Sequence, residues 1–134
     1  MKLTTALLIL APVWAVAAAP TTPREKAEAF FSSVIKSDIA GGYDRLFDGS
    51  SIPQDKPQAV TLLKTQTQTG LPLYGKILGY DFIKEEDFGS SIVRLVYVLK
   101  SEKAPTTWEL YFYRPKGSWF LANIIFNDQF SLLR

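Results

Sequence analysis

Neither cysteine nor histidine occurs in this chain, and its single methionine is the first residue. Without thiols there is no disulfide, no cysteine nucleophile and no thiolate metal site. A lipid-anchored bacterial lipoprotein is excluded as well, because its anchor is built on a cysteine just after the signal segment. Without imidazole there is no Ser-His-Asp triad, no histidine metal ligand and no histidine pH switch. A charge excess is also missing: 15 basic residues face 13 acidic ones, and the basic residues are scattered. Nucleic-acid binding needs a clustered basic footprint, and membrane-surface attachment needs a polybasic run. Neither partner is therefore expected once the leader described below is removed. Phosphate loops and nucleophile elbows are absent too. Glu85-Glu86-Asp87 lacks the Asp-x-Asp-x-Asp-Gly spacing of a calcium loop and reads as a charged strand end. No metal and no cofactor are expected.

What is present begins with an export leader. Lys2 forms a one-charge basic start, followed by Ala6-Leu7-Leu8-Ile9-Leu10-Ala11 and Val13-Trp14-Ala15-Val16. Small residues at Ala15, Ala17, Ala18 and Ala19 then fit the pattern a signal peptidase reads, with cleavage after Ala17 or Ala18. The apolar run is short for a membrane span and contains Pro12. Residues 1–18 are thus expected to be a signal peptide, and 19–134 one domain able to bury about two-thirds of its unfolded surface. A small exported domain without disulfides suits a bacterial periplasm better than an animal secretory route, so the expected location is periplasmic or secreted.

Along the mature chain, Thr22-Pro23-Arg24-Glu25 predicts a helix start, with Thr22 as N-cap and Glu25 closing a capping box. Ala27, Phe30, Phe31, Val34 and Ile35 form one apolar stripe. Gly41-Gly42 is expected to end this helix, since glycine tolerates the left-handed cap. Tyr43 to Phe47 predicts a short helix. A third is expected from Pro53–Pro57 to about Thr69, with Ala59, Leu62 and Leu63 inward and Gly70 and Pro72 stopping it. The alternation Thr65-Gln66-Thr67-Gln68-Thr69 is also compatible with a strand. Four strands then follow: Gly75 or Lys76 to Glu86, Ser91 to Lys100, Thr106 to Arg114 and Trp119 to Asn127. In the second, Val93, Leu95, Tyr97 and Leu99 share one face, while Ile92, Arg94, Val96, Val98 and Lys100 share the other. Neither face is cleanly polar, so both are expected to be covered, one by helices and one by a second subunit.

The order of helices and meander, with Glu28-Ala29-Phe30-Phe31, Gly75, Trp108-Glu109-Leu110-Tyr111-Phe112-Tyr113, Pro115-Lys116-Gly117 and Trp119, resembles the cystatin-like cone of the nuclear transport factor 2-like superfamily. More narrowly, it is similar to small exported bacterial members of unknown function. The resemblance covers most of the mature chain. It implies a sheet curled around the long first helix, with a mouth able to hold a small molecule. Enzymes of that superfamily, such as ketosteroid isomerases and scytalone dehydratases, place an acid-base Asp or His with Tyr partners in the cone. The resemblance carries no catalytic motif onto this chain.

Lacking histidine, an enzyme of this type would need a buried Asp or Glu with a raised pKa. The candidates are Asp44, beside Tyr43, and Asp81, beside Tyr80, although neighbours on a strand point to opposite faces. Arg94, on an apolar strand face, suits either an anionic ligand or a cross-strand pair with Glu109, the commoner arrangement. Tyr97, Trp108, Tyr111 and Trp119, with Tyr113 and Phe112, would stack a ligand or form core and dimer interface. The expected fold is α+β: two to three N-terminal helices on a curved four-stranded antiparallel sheet. The expected function is non-enzymatic binding or interaction, as a homodimer through the outer sheet face. The alternatives are a small acid-base lyase or isomerase and a carrier of an apolar small molecule; a ligand would be apolar or anionic. A hollow behind Tyr97, Trp108 and Trp119 would favour the alternatives, and a ring-filled interior the first reading.

Overall fold

A computed structural model describes residues 9–14 and 19–134. The expected cleavage position, after Ala17 or Ala18, lies outside the described residues, as does most of the expected signal peptide. The described chain forms α1 (Pro23–Ile35), α2 (Ile39–Leu46), the single-turn α3 (Ile52–Asp55) and α4 (Pro57–Gly70). A 3-10 turn at Leu71–Tyr74 leads into β1 (Ile77–Phe88), β2 (Ile92–Ser101), β3 (Thr106–Tyr113) and β4 (Phe120–Asn127), and a second 3-10 turn at Phe130–Leu133 follows. The sheet is antiparallel throughout, in the order β1-β2-β3-β4. No helix among the described residues is long and apolar enough to cross a membrane.

Thr22 caps α1 as its sequence predicts: its hydroxyl accepts from the Glu25 N–H at 3.1 Å. The Glu25 carboxylate reaches one residue further back than a capping box requires, to the Thr21 N–H at 3.2 Å. Ala27, Phe30, Phe31 and Val34 are fully buried. Ile35, expected in the same stripe, is 39% exposed because the helix ends there.

Gly41-Gly42 does not terminate α1. Ser37 takes the left-handed turn instead, at φ 63°, and the two glycines lie inside α2. Their smallness serves close approach. A Cβ on Gly41 would meet the Asp38 carboxylate that caps α2 at 2.5 Å, and one on Gly42 would sit 3.0 Å from the Ser33 Cβ of α1. Arg45 locks the same crossing, donating to the Ser33 hydroxyl at 2.8 Å and to Asp38 at 2.9 Å.

In α4 the inward residues are Val60, Leu63 and Thr67; Ala59 is exposed and Leu62 is 57% exposed. The shift follows from one buried polar contact. The Thr67 hydroxyl donates to the Leu63 carbonyl at 2.8 Å and sits 2.8 Å from the Tyr43 hydroxyl, which therefore donates to it. The Thr/Gln run is helical, and Thr61 and Thr69 also bond to carbonyls four residues back, which satisfies their hydroxyls within the helix.

The inner sheet face follows the expected alternation. Val93, Leu95, Tyr97 and Leu99 of β2 are buried, opposite Phe112, Leu110, Trp108 and Thr106 of β3. Register shifts in β1, near Ile77/Gly79 and Phe82/Lys84, and between Tyr111 and Phe112 in β3 mark bulges, which bend a sheet. On the outer face the C-terminal segment doubles back. The Thr107 hydroxyl donates to the Gln129 carbonyl at 2.9 Å, and Lys84 reaches the Arg134 carbonyl at 3.1 Å. The tail thus turns from β4 back over β3, where the Lys84 side chain of β1 reaches its end.

Candidate functional site

The space under the sheet is filled with rings. Phe31 lies 4.8 Å from Tyr97, 5.6 Å from Trp108 and 5.4 Å from Tyr80, centroid to centroid. Phe30 contacts Trp108 at 5.7 Å and Tyr43 at 4.8 Å, and Trp108 stacks on Phe126 at 4.4 Å. Tyr97 and Trp108 are fully buried, and the Trp108 indole N–H is spent on the Thr106 hydroxyl at 2.9 Å. Aromatic pairs at these spacings are in mutual contact. Neither residue is free to stack a ligand.

At the rim of this ring cluster, the Tyr97 hydroxyl donates to Glu28 at 3.4 Å, and Glu28 accepts from Arg24 at 3.0 Å. Arg24 in turn lies 3.8 Å over the Phe82 ring. Burial, with the Glu28 carboxylate beside it, pushes the Tyr97 hydroxyl well above its ordinary range; burial does the same to Tyr43. Sequence reading missed this cluster, although the Arg24/Glu28 spacing of four on one helix was a signal for the pair.

The two carboxylates considered for acid-base work are on the surface. Asp44 pairs with Lys64 at 2.6 Å and is 67% exposed, at the edge of a groove of about 400 Å³ between α1 and α2 that Lys26, Phe30 and Arg45 also line. Asp81 pairs with Lys100 at 3.3 Å across β1 and β2 and is 55% exposed, while Tyr80 turns the other way, onto Phe31. The structure brings neither together with a tyrosine hydroxyl.

Arg94 and Tyr111 come together on the outer sheet face. The Arg94 Nε–H donates to Glu109 at 2.5 Å, its Nη1 reaches Glu86, and the Tyr111 hydroxyl donates to the same Glu109 oxygen at 2.6 Å. Lys84 adds a contact to Glu86 at 3.4 Å. Burial alone would raise the Glu109 pKa, but the Tyr111 and Arg94 hydrogen bonds outweigh it and hold the carboxyl below its ordinary range. The Tyr111 hydroxyl is raised, chiefly by that bond to Glu109. A carboxylate held ionised between an arginine and a phenol is a poor proton donor at neutral pH. The Arg94–Glu109 pair was legible in the strand pattern; Glu86 required the β1–β2 register, which places it opposite Arg94.

The same outer face carries exposed apolar side chains. One register row crosses all four strands: Phe88 pairs with Ile92, Ile92 with Tyr113, and Tyr113 with Phe120. Phe88, Ile92 and Tyr113 are 48%, 37% and 38% exposed, and the Tyr113 and Phe120 rings touch at 5.5 Å. The last predicted ligand-binding residue, Trp119, is half-buried just before β4 and lines two open cavities at the hairpin end of the molecule.

No family model matches the chain, and no curated protein or solved structure matches it.

Proposed function

We propose that this chain is a non-enzymatic binding and interaction module of the nuclear transport factor 2-like type, exported to the periplasm or beyond, which works as a homodimer through its outer sheet face. The observation that carries this reading is the apolar row Phe88, Ile92, Tyr113 and Phe120, which spans the full width of the sheet, with the first three exposed and Phe120 half-buried in the single chain. Contiguous apolar surface of this kind marks interaction sites. Beside it runs a band of both signs, Lys84, Glu86, Arg94 and Glu109. A two-fold interface requires a self-complementary patch, which a row of apolar side chains supplies, while the charges beside it are already paired within the chain. The C-terminal turn covers the far part of the face, so the interface uses the hairpin half.

The non-enzymatic reading is favoured over the lyase, isomerase and carrier alternatives by the ring-filled interior and by the exposure of Asp44 and Asp81. Sedimentation of the mature chain tests the proposal. A dimer at micromolar concentration that becomes monomeric in Ile92→Glu/Tyr113→Glu, with unchanged far-ultraviolet circular dichroism, supports it. A wild-type protein that remains monomeric at about 0.5 mM, where even weak pairs associate, overturns it.

A further inference from the structure

Trp119 separates two cavities with different linings. The smaller, about 260 Å³, has Asp87, Ser90 and Arg114 around it. The larger, about 380 Å³, has Pro20, Thr21, Lys26 and Ser118. Both are of the order of a single sugar ring rather than a large ligand.

Arg114 differs from the other arginines. Arg24, Arg45 and Arg94 each grip a carboxylate, and Arg134 is the terminal residue. Arg114 has no carboxylate partner among the described residues. Its guanidinium lies 4.6 Å from the centre of the Trp119 ring, and one N–H donates to the Ser90 carbonyl at 3.2 Å. Its position over the ring leaves the in-plane N–H groups not spent on Ser90 available, the donors that receive a carboxylate. Asp87 lines the same cavity without pairing to Arg114 or to any other cation among the described residues. A donor fork and an acceptor thus face one space without closing on each other. Across Trp119, Lys26 has only a 3.5 Å contact to the Asp48 carbonyl, at the limit of a hydrogen bond. The larger cavity adds the Thr21 and Ser118 hydroxyls and the Pro20 ring.

We infer that this end of the molecule binds an acidic saccharide, a chain of carboxylated sugar rings. Trp119 and Pro20 offer apolar surface to the C–H face of a ring. Arg114 and Lys26 take carboxylates on either side of the indole, and Asp87, Ser118 and Thr21 bond to hydroxyls. A neutral sugar would leave both cations unpaired, and a simple anion would leave Trp119 and Asp87 unused; the combination selects a ligand carrying both groups. This site is separate from the outer sheet face and does not depend on dimer formation.

The test is a nuclear magnetic resonance titration of the mature protein with digalacturonate, using galactobiose and inorganic phosphate as controls. Saturable shifts at the Trp119 indole N–H and the Ser90 and Ser118 amides are expected with digalacturonate alone. Arg114→Gln and Trp119→Ala should each weaken binding by about tenfold or more, a loss of about 1.4 kcal/mol. Arg114→Lys should recover only part of that loss, because it restores charge without the fork. Equal binding of galactobiose or phosphate, unchanged affinity in Arg114→Gln, or no saturation at about 10 mM digalacturonate overturns the assignment. If Trp119→Ala does not fold, the solvent-exposed Arg114→Gln variant decides.

Discussion

Single residues on the outer face show how a half-buried charge is held. Arg94 and Glu109 are 11% and 10% exposed in their side chains, so each depends on the other for solvation. Glu109→Ala strands the arginine with Glu86 and should cost about 2–3 kcal/mol of unfolding free energy. Replacing both, as Arg94→Met/Glu109→Leu, should cost far less, because no unpaired charge remains. Urea denaturation of the two variants separates pair energy from packing. Glu109 also sets an acid response. Its folded pKa is depressed, so its contribution is present above the ordinary value of 4.5 and is lost as pH falls through the folded pKa. Melting temperatures taken downward from pH 5 should therefore fall less steeply in Glu109→Gln than in wild type. The buried phenols act at the other limit. Tyr43 and Tyr97 have raised pKa values, so their contribution is intact below the ordinary 10 and is lost as pH climbs through the folded values. Spectrophotometric titration should show two tyrosines that ionise only on alkaline unfolding. Tyr43→Phe/Tyr97→Phe should move that transition to higher pH, or the assignment of these two is wrong.

At the scale of elements, the α1–α2 crossing makes glycine behave against its helix propensity. Gly→Ala inside a helix ordinarily stabilises by up to about 1 kcal/mol. Gly70, where an added methyl would find nothing within 4 Å, should follow that rule. Gly42→Ala should instead destabilise by about 1–2 kcal/mol, since the methyl meets Ser33 and Phe30 across the crossing. Ser37→Gly should gain about 0.5–1 kcal/mol by relieving a left-handed serine. Thermal melts of the three variants check the signs. The same region shows what was legible in the chain. Thr22, the stripe from Ala27 to Val34 and the alternation of β2 follow local rules, and local structure obeyed them. Gly41-Gly42 carries two meanings, a helix stop and a close contact, and only the neighbouring helix decides between them. The inward face of α4 was misplaced for a related reason: Thr67 is buried for its bond with Tyr43, a partner 24 residues away. The carboxylates Asp44 and Asp81 likewise owe their exposure to which side of an element meets the core, and no short-range pattern records that.

For the whole molecule, the outer sheet face is shared by an open apolar row and a strap made from the chain's own end. The strap left no sequence signature, because a four-residue 3-10 turn has no periodicity to read. Phe130 and Leu133 are 50% and 41% exposed, yet the segment shelters Thr107, which is fully buried, and engages Lys84. Deleting residues 129–134 should lower the melting temperature by several degrees, on the order of 1–2 kcal/mol for a domain of this size. It should also increase binding of a hydrophobic dye, as apolar outer-face surface becomes accessible. An unchanged melt and dye response would mean that the strap contributes no stability.

Pairing each strand only with its neighbour in the chain has a kinetic consequence. The Arg94–Glu109 contact closes over 15 residues, whereas the Tyr97–Glu28 contact, which brings α1 to the sheet, closes over 69. Short closures lose less chain entropy, so the meander is expected to assemble in the folding transition state, with α1 docking on the downhill side. Leu110→Ala, in the centre of the meander, should mainly slow folding, while Phe31→Leu, on α1, should mainly speed unfolding. Stopped-flow chevrons of the two variants would show the division directly. A chain built this way holds its first helix ahead of the surface that will cover it, and must keep Phe30 and Phe31 soluble until the last strands assemble.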